Sequence, residues 1–148
     1  MIEQFFHRNL NIINYFIRKG RNDPHVIALI LAEMYFNNII KRQSEYLAFL
    51  LLRSLFKKRI SKLSVGIAQI QIKYWYQYNL LNDQNIFKKL AIISSELNNY
   101  DLAKMIIDNR LNEPVDCSKI LADYRGESRA YHMDVFIKLK YFIGNYCG

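Results

Sequence analysis

Apolar residues recur along this chain at the spacing of a helix face. Ile2, Phe6, Leu10, Ile13 and Ile17 are separated by 4, 4, 3 and 4 positions, which stacks them on one side of a helix. Gly20 follows, where a glycine closes a helix C-terminus. The pattern predicts an N-terminal helix over 1–20. Asp23-Pro24 then pairs an N-cap residue with a first-turn proline. It predicts a second helix over about 25–40, apolar almost all round and therefore central and buried. A third helix is expected over about 44–56, and a loop over 57–66. A fourth helix would start at or just after Gly66 and carry Ile67, Ile70 and Trp75.

Asn82-Asp83 punctuates the chain. Ile86, Leu90, Ile93 and Leu97 mark the next helix, which Asn98-Asn99 would break. Asp101 could cap a short helix over about 102–109. After a loop at 112–114, one or two helical turns are expected over 118–124 and a turn over 125–128. Tyr131, Val135, Leu139 and Phe142 mark the last helix. No segment sustains two-residue alternation, so the fold class is mainly α with little or no β. No internal repeat or low-complexity tract is present.

Length and composition narrow this picture. The chain of 148 residues suits one compact domain. A hydrophobic content of 51% argues against a disordered chain. The two cysteines, Cys117 and Cys147, leave open a pairing or two reduced thiols. His7, His25 and His132 are scattered, so neither a metal site nor a cofactor is implied. The N-terminus lacks the basic-then-apolar layout of a signal peptide. The longest uncharged apolar run, 26–32, is too short to span a bilayer. A soluble monomer made in the cytoplasm, without a transmembrane segment, is the expectation.

The net charge of +8 is uneven. Residues 1–82 hold 12 basic and 4 acidic side chains, whereas 83–148 hold 9 of each. Much of the excess lies in one stretch where Arg53, Lys57, Lys58, Arg59 and Lys62 meet no acid.

Three places could carry chemistry. Glu33 sits in the apolar run 27–36. A carboxylate is costly to bury unless paired or protonated, and burial raises a carboxyl pKa, which suits a general acid near neutral pH. Glu33 could instead occupy a narrow exposed stripe or pair with Lys41 or Arg42. Ser64-Val65-Gly66-Ile67-Ala68-Gln69-Ile70 is the second place. Its Ser-x-Gly turn would let backbone approach a ligand, and the Gln69 amide can donate to and accept from a sugar. The plainer reading is a capped helix start with an exposed glutamine. The third is Tyr124-Arg125-Gly126, a tyrosine before a glycine turn.

Taken in order, these motifs resemble those of the lysozyme-like lytic transglycosylases. That family has a catalytic Glu on a buried helix, then a Gly-Leu-Met-Gln-Ile-like motif, then a Tyr-Asn-x-Gly motif near the end. The counterparts are Glu33, then Gly66-Ile67-Ala68-Gln69-Ile70, then Tyr124-Arg125-Gly126. Met34 stands where the family has serine. Arg125 stands in place of the asparagine, or that residue is deleted, and the gap from Glu33 to Gln69 is long.

The resemblance implies a single lysozyme-like domain of seven or eight helices, with an N-terminal helix at 1–20 and a catalytic core at 24–148. It also implies a peptidoglycan glycan strand as substrate. Glu33 would protonate the glycosidic oxygen between MurNAc and GlcNAc. It would then take the proton from the muramic 6-hydroxyl, leaving a 1,6-anhydro end. Ser64, Gly66, Gln69 and Ile70 would bind the sugar and its acetamido group, with Tyr100 and Tyr124 beside them. Lys57, Lys58 and Arg59 would form a cationic rim for the anionic wall polymer, and the protein would act at the cell wall or periplasm.

A hydrolytic muramidase would need a second carboxylate, and Glu45 is the only other acid between Glu33 and Gln69. The competing class is a binding module. The basic stretch with Tyr74, Trp75, Tyr76 and Tyr78 offers cations and aromatics to nucleic acid, although no helix-turn-helix, RNP or zinc-finger pattern accompanies it. A degenerate lysozyme-like fold that binds glycan or a partner protein without cleaving is the remaining alternative.

Overall fold

Residues 26–32 have no polar side to offer water, and two later helices pack against the helix that carries them. The computed structural model describes residues 1–52, 63–82, 85–109 and 130–147. Among these the fold is mainly helical. Eight helices run in the order α1 (Ile2–Arg8), α2 (Leu10–Arg18), α3 (Pro24–Phe36), α4 (Ile39–Leu52), α5 (Ile72–Gln77), α6 (Ile86–Ser94), α7 (Glu96–Asp108) and α8 (Ala130–Cys147). The only sheet among the described residues is a two-stranded antiparallel pair between α4 and α5, β1 (Ser64–Val65) and β2 (Ile70–Gln71).

Every residue of α3 from Val26 to Glu33 is buried. The long helix α8 covers one side of it, through a core that includes Val135, Phe136, Leu139 and Ile143, and α7 packs on another. Each large aliphatic side chain enclosed this way is worth about 2 kcal/mol. Five of them (Val26, Ile27, Leu29, Ile30, Leu31) supply a sum comparable with the whole net stability of a domain of this size, about 5–15 kcal/mol.

Both ends of α3 are pinned by polar contacts. At the start, the Asp23 carboxylate accepts from the His25 amide at 3.0 Å, and Pro24 occupies the first turn. The Asp23 amide donates to the Tyr100 hydroxyl at 2.8 Å. Lys104 Nζ reaches Asp23 Oδ2 at 3.1 Å, and Arg21 forms a two-pronged pair with Asp101 at 2.9 and 3.1 Å. The N-terminus of α3 is thus tied to α7. At the other end Asn37 stops the helix. Its side chain donates to the Glu33 carbonyl at 2.9 Å, and its backbone is extended. Asn38 Oδ1 then accepts from the Lys41 amide and opens α4.

Several boundaries differ from the expectation, most of them through a short polar side chain. The helix expected over 1–20 is two helices. Asn9 Nδ2 donates to the Phe5 carbonyl at 2.8 Å, and such a side chain competes with the helical ladder. Its C-terminal glycine is as expected. Gly20 has φ +73°, and the Gly20 and Arg21 amides bond back to Ile17 and Phe16, a Schellman closure. The second helix ends at Phe36 rather than Ile40, and α4 begins at Ile39 rather than Ser44; the expected end of that helix and the loop residues 57–62 lie outside the described residues. The helix expected from Gly66 is instead a hairpin, and α5 begins only at Ile72. Asn98-Asn99 does not break the next helix. The break lies at Ser95, whose hydroxyl caps α7, and both asparagines sit in the first turns of that helix. Asp101 accordingly pairs with Arg21 rather than capping. The elements expected over 110–129 lie outside the described residues. No helix among the described residues is long and apolar enough to cross a membrane.

Asp23 carries the pinning of α3, and burial alone would raise its pKa. The Lys104 ammonium and the His25 and Val26 amides outweigh burial, and the carboxyl is held below its usual value. Its contribution is therefore present above the ordinary carboxylate range and is lost as pH falls through the lowered value. Asp23→Ala should cost about 1–2 kcal/mol, mostly from the cap. Urea titration at neutral pH measures this, and the gap from wild type should narrow in acid.

Candidate active site

Glu33 lies in the last turn of α3 and is 2% exposed. Its side chain therefore occupies no exposed stripe. Asn37 Nδ2 donates to Glu33 Oε2 at 3.1 Å while also holding the Glu33 carbonyl. Asn37 is itself buried. Lys41 reaches this pair at one remove, since its ammonium donates to Asn37 Oδ1. An amide bridge thus links the carboxylate at the end of α3 to the first turn of α4.

One turn further along α4 stands Glu45. Its Oε2 accepts from Gln69 Nε2 at 2.6 Å, and the same nitrogen donates to the Gly66 carbonyl at 3.1 Å. Helix α4 packs against β1, so the hairpin leans on the helix that carries Glu45. Burial raises the Glu45 carboxyl above its usual value, although the Gln69 amide and the Lys41 and Arg42 charges pull the other way. Burial raises the neighbouring Tyr46 phenol as well. The Arg42 Nε is buried with no hydrogen-bond partner among the described residues.

The hairpin turn 66–69 has unusual backbone at both ends. Gly66 has φ +80° and Gln69 has φ +50°. The first suits glycine. The second is uncommon for a glutamine and holds only where the surroundings enforce it. Asn99 is part of that enforcement. Fully buried on α7, it donates to the Ile93 and Ser95 carbonyls at 2.8 Å and accepts from the Ala68 amide at 3.3 Å. A Cβ on Gly66 would lie 2.1 Å from Asn99 Oδ1. The close approach that Gly66 permits is therefore made by Asn99, not left open for a ligand.

The remaining sequence candidates divide. Ser64 is half-buried and pairs with Gln71 across the hairpin. Ile70 is 2% exposed and belongs to the core, so it supports the turn from within. Tyr100 stands elsewhere. Its hydroxyl is taken by Asp23, ten residues before Glu33 on α3, a separation of about 15 Å along a helix. Its ring packs on Phe16 with centroids 5.2 Å apart. Tyr124 and the rim residues Lys57, Lys58 and Arg59 lie outside the described residues. Of the aromatics weighed for nucleic acid, Trp75 is fully buried and cannot stack on a base, and Lys89 sits over the Tyr76 ring.

Sequence reasoning missed Asn37 and Asn99. Asn37 had a signal, standing one helical turn after the candidate acid. Asn99 looked like a helix breaker. A cavity of about 350 Å³ opens between α1, α3 and α8, lined by Tyr35, Tyr131 and Phe142 among others. Neither Glu33, Glu45 nor Gln69 lines it. No group of three or more metal-ligating side chains occurs among the described residues. The chain matches no protein-family model, no curated protein and no solved structure.

Two outcomes follow. Gly66→Ala should destabilise the protein by about 2 kcal/mol or more, because strained φ and the Asn99 clash add. Thermal melting with circular dichroism measures it. For Glu45, the folded protein keeps a proton through the interval between the ordinary and the raised pKa, where the unfolded chain has released it. Stability therefore falls as pH rises through that interval. Glu45→Gln should remove this dependence, so its urea midpoint should gain on wild type from acid to neutral pH.

Proposed function

We propose that the protein cleaves the β-1,4 bond between MurNAc and GlcNAc in peptidoglycan, as a lytic transglycosylase with Glu33 as its single acid and base. The observation that carries this reading is a carboxyl buried in the last turn of an enclosed apolar helix, with Asn37 fixing one of its oxygens. A carboxylate is seldom kept in such a place by packing alone. The order of Glu33, the Gly66–Ile70 turn and Tyr124 along the chain supports the same reading.

In this mechanism the protonated Glu33 carboxyl gives its proton to the glycosidic oxygen as the bond to the muramic anomeric carbon breaks. The substrate's acetamido oxygen supports that carbon. The carboxylate then takes the proton from the muramic 6-hydroxyl as its oxygen closes on the same carbon. Glu33 ends in its starting state, and the product carries a 1,6-anhydro ring. Asn37 holds the Glu33 carboxyl in one orientation, and acid and base roles fall to this single group. Gln69 would meet the sugar's acetamido group, and the anionic strand would lie along a rim of Lys57, Lys58 and Arg59 at the cell wall.

The test is mass analysis of muropeptides released from peptidoglycan. Wild type should release anhydro products, and Glu33→Gln should lower the rate by about 100-fold or more, the scale of a lost general acid. Products heavier by one water would make the enzyme a muramidase. Full activity in Glu33→Gln would remove Glu33 from the mechanism.

A further inference from the structure

Gln69 carries one amide nitrogen and one amide oxygen, and its surroundings decide which faces where. Nε2 lies 3.1 Å from the Gly66 carbonyl and 2.6 Å from Glu45 Oε2. A backbone carbonyl only accepts, so the nitrogen and not the oxygen must face Gly66. An amide nitrogen has two hydrogens, and these two contacts use both. The group left to Gln69 is Oε1, a pure acceptor, and nothing among the described residues donates to it. The orientation has little slack, because Gln69 is 9% exposed and its backbone is held at φ +50°. Any ligand reaching this turn therefore meets an acceptor.

We infer that Glu45 is a positioning residue: together with the Gly66 carbonyl it fixes the Gln69 amide so that Oε1 faces the ligand and selects the N–H of a substrate acetamido group. This rests on the reading that Gln69 lies in the glycan site. Lys41 and Arg42 on α4 are the cations that act on Glu45, and Tyr46 is its titratable neighbour on the same helix. Without an acceptor at position 45 one Nε2 hydrogen is free, and the amide can turn and offer a donor instead. The preference for a substrate N–H is then lost although Glu33 is untouched.

The test uses the full chain carrying Glu33→Gln, which binds without turnover, and the β-1,4 tetramer of N-acetylglucosamine labelled with ¹⁵N in its acetamido groups. One acetamido N–H should move downfield on binding. Adding Glu45→Met should abolish that shift and weaken binding by about five- to tenfold, the scale of one hydrogen bond. Adding Glu45→Gln, which keeps a carbonyl acceptor, should restore most of it. On peptidoglycan, Glu45→Met alone should raise KM with kcat within about twofold of wild type. A shift that persists in the Glu45→Met protein overturns the role of Glu45 and leaves Glu33 standing. No acetamido shift without any Glu45 substitution overturns the placing of Gln69 on the glycan, and the inference with it. A measurement on the unsubstituted chain guards against a variant that does not fold. The Gln69 side-chain amide resonances should follow the titration of Glu45, and indifference to it also overturns the inference.

Discussion

The constraint on which the rest of this structure depends is that α3 has no outward face. A surface helix shows water one polar side, but from Val26 to Ala32 this one has none. It must be enclosed by α7 and α8, and its backbone ends must find partners inside the protein. The caps at Asp23 and Asn37 answer that requirement. Glu33 is the exception that gives the arrangement chemical interest. A carboxyl sits where packing would place a leucine, and the same asparagine that ends the helix bonds one of its oxygens. Structure and candidate chemistry thus share one side chain.

The second half of the site is built on a different principle. The hairpin 64–71 is short, and two-stranded pairs have little stability of their own. It is fixed from outside, by Asn99 of α7 beneath Gly66 and by Glu45 of α4 against Gln69. Each contact joins residues at least 24 positions apart in the chain. The turn keeps its uncommon backbone angles because the helices around it are already in place.

Where the chain was legible, periodicity made it so. The apolar repeats of α2, α6 and α8, the proline start of α3 and the glycine closure at Gly20 all rest on local rules that the fold obeys. Glu33 stood out because it broke the pattern around it. The errors share one cause. Asn9, Asn37, Ser95 and Asn99 each choose between capping, breaking and bonding within a helix, and that choice depends on which carbonyl comes within reach. Asn98 and Asn99 looked like a helix end, yet they reach back to Ile92 and Ile93 and lie inside α7. The hairpin was hidden for a related reason. Ile67, Ile70 and Trp75 have helical spacing, but the left-handed angles at Gly66 and Gln69 forbid the helix. A non-glycine residue in that region leaves no trace in the sequence, and Glu45 acquires its role only when α4 meets the turn.

The covering of α3 by α8 has a consequence for how the protein is made. Translation delivers α3 long before its cover, with about ninety residues between Phe36 and Ala130. At roughly 5–20 residues per second a nascent chain presents this apolar helix without its cover for about 5–20 seconds. The helices packed most closely on α3 are the later ones, α8 and then α7, so its burial during synthesis waits for them.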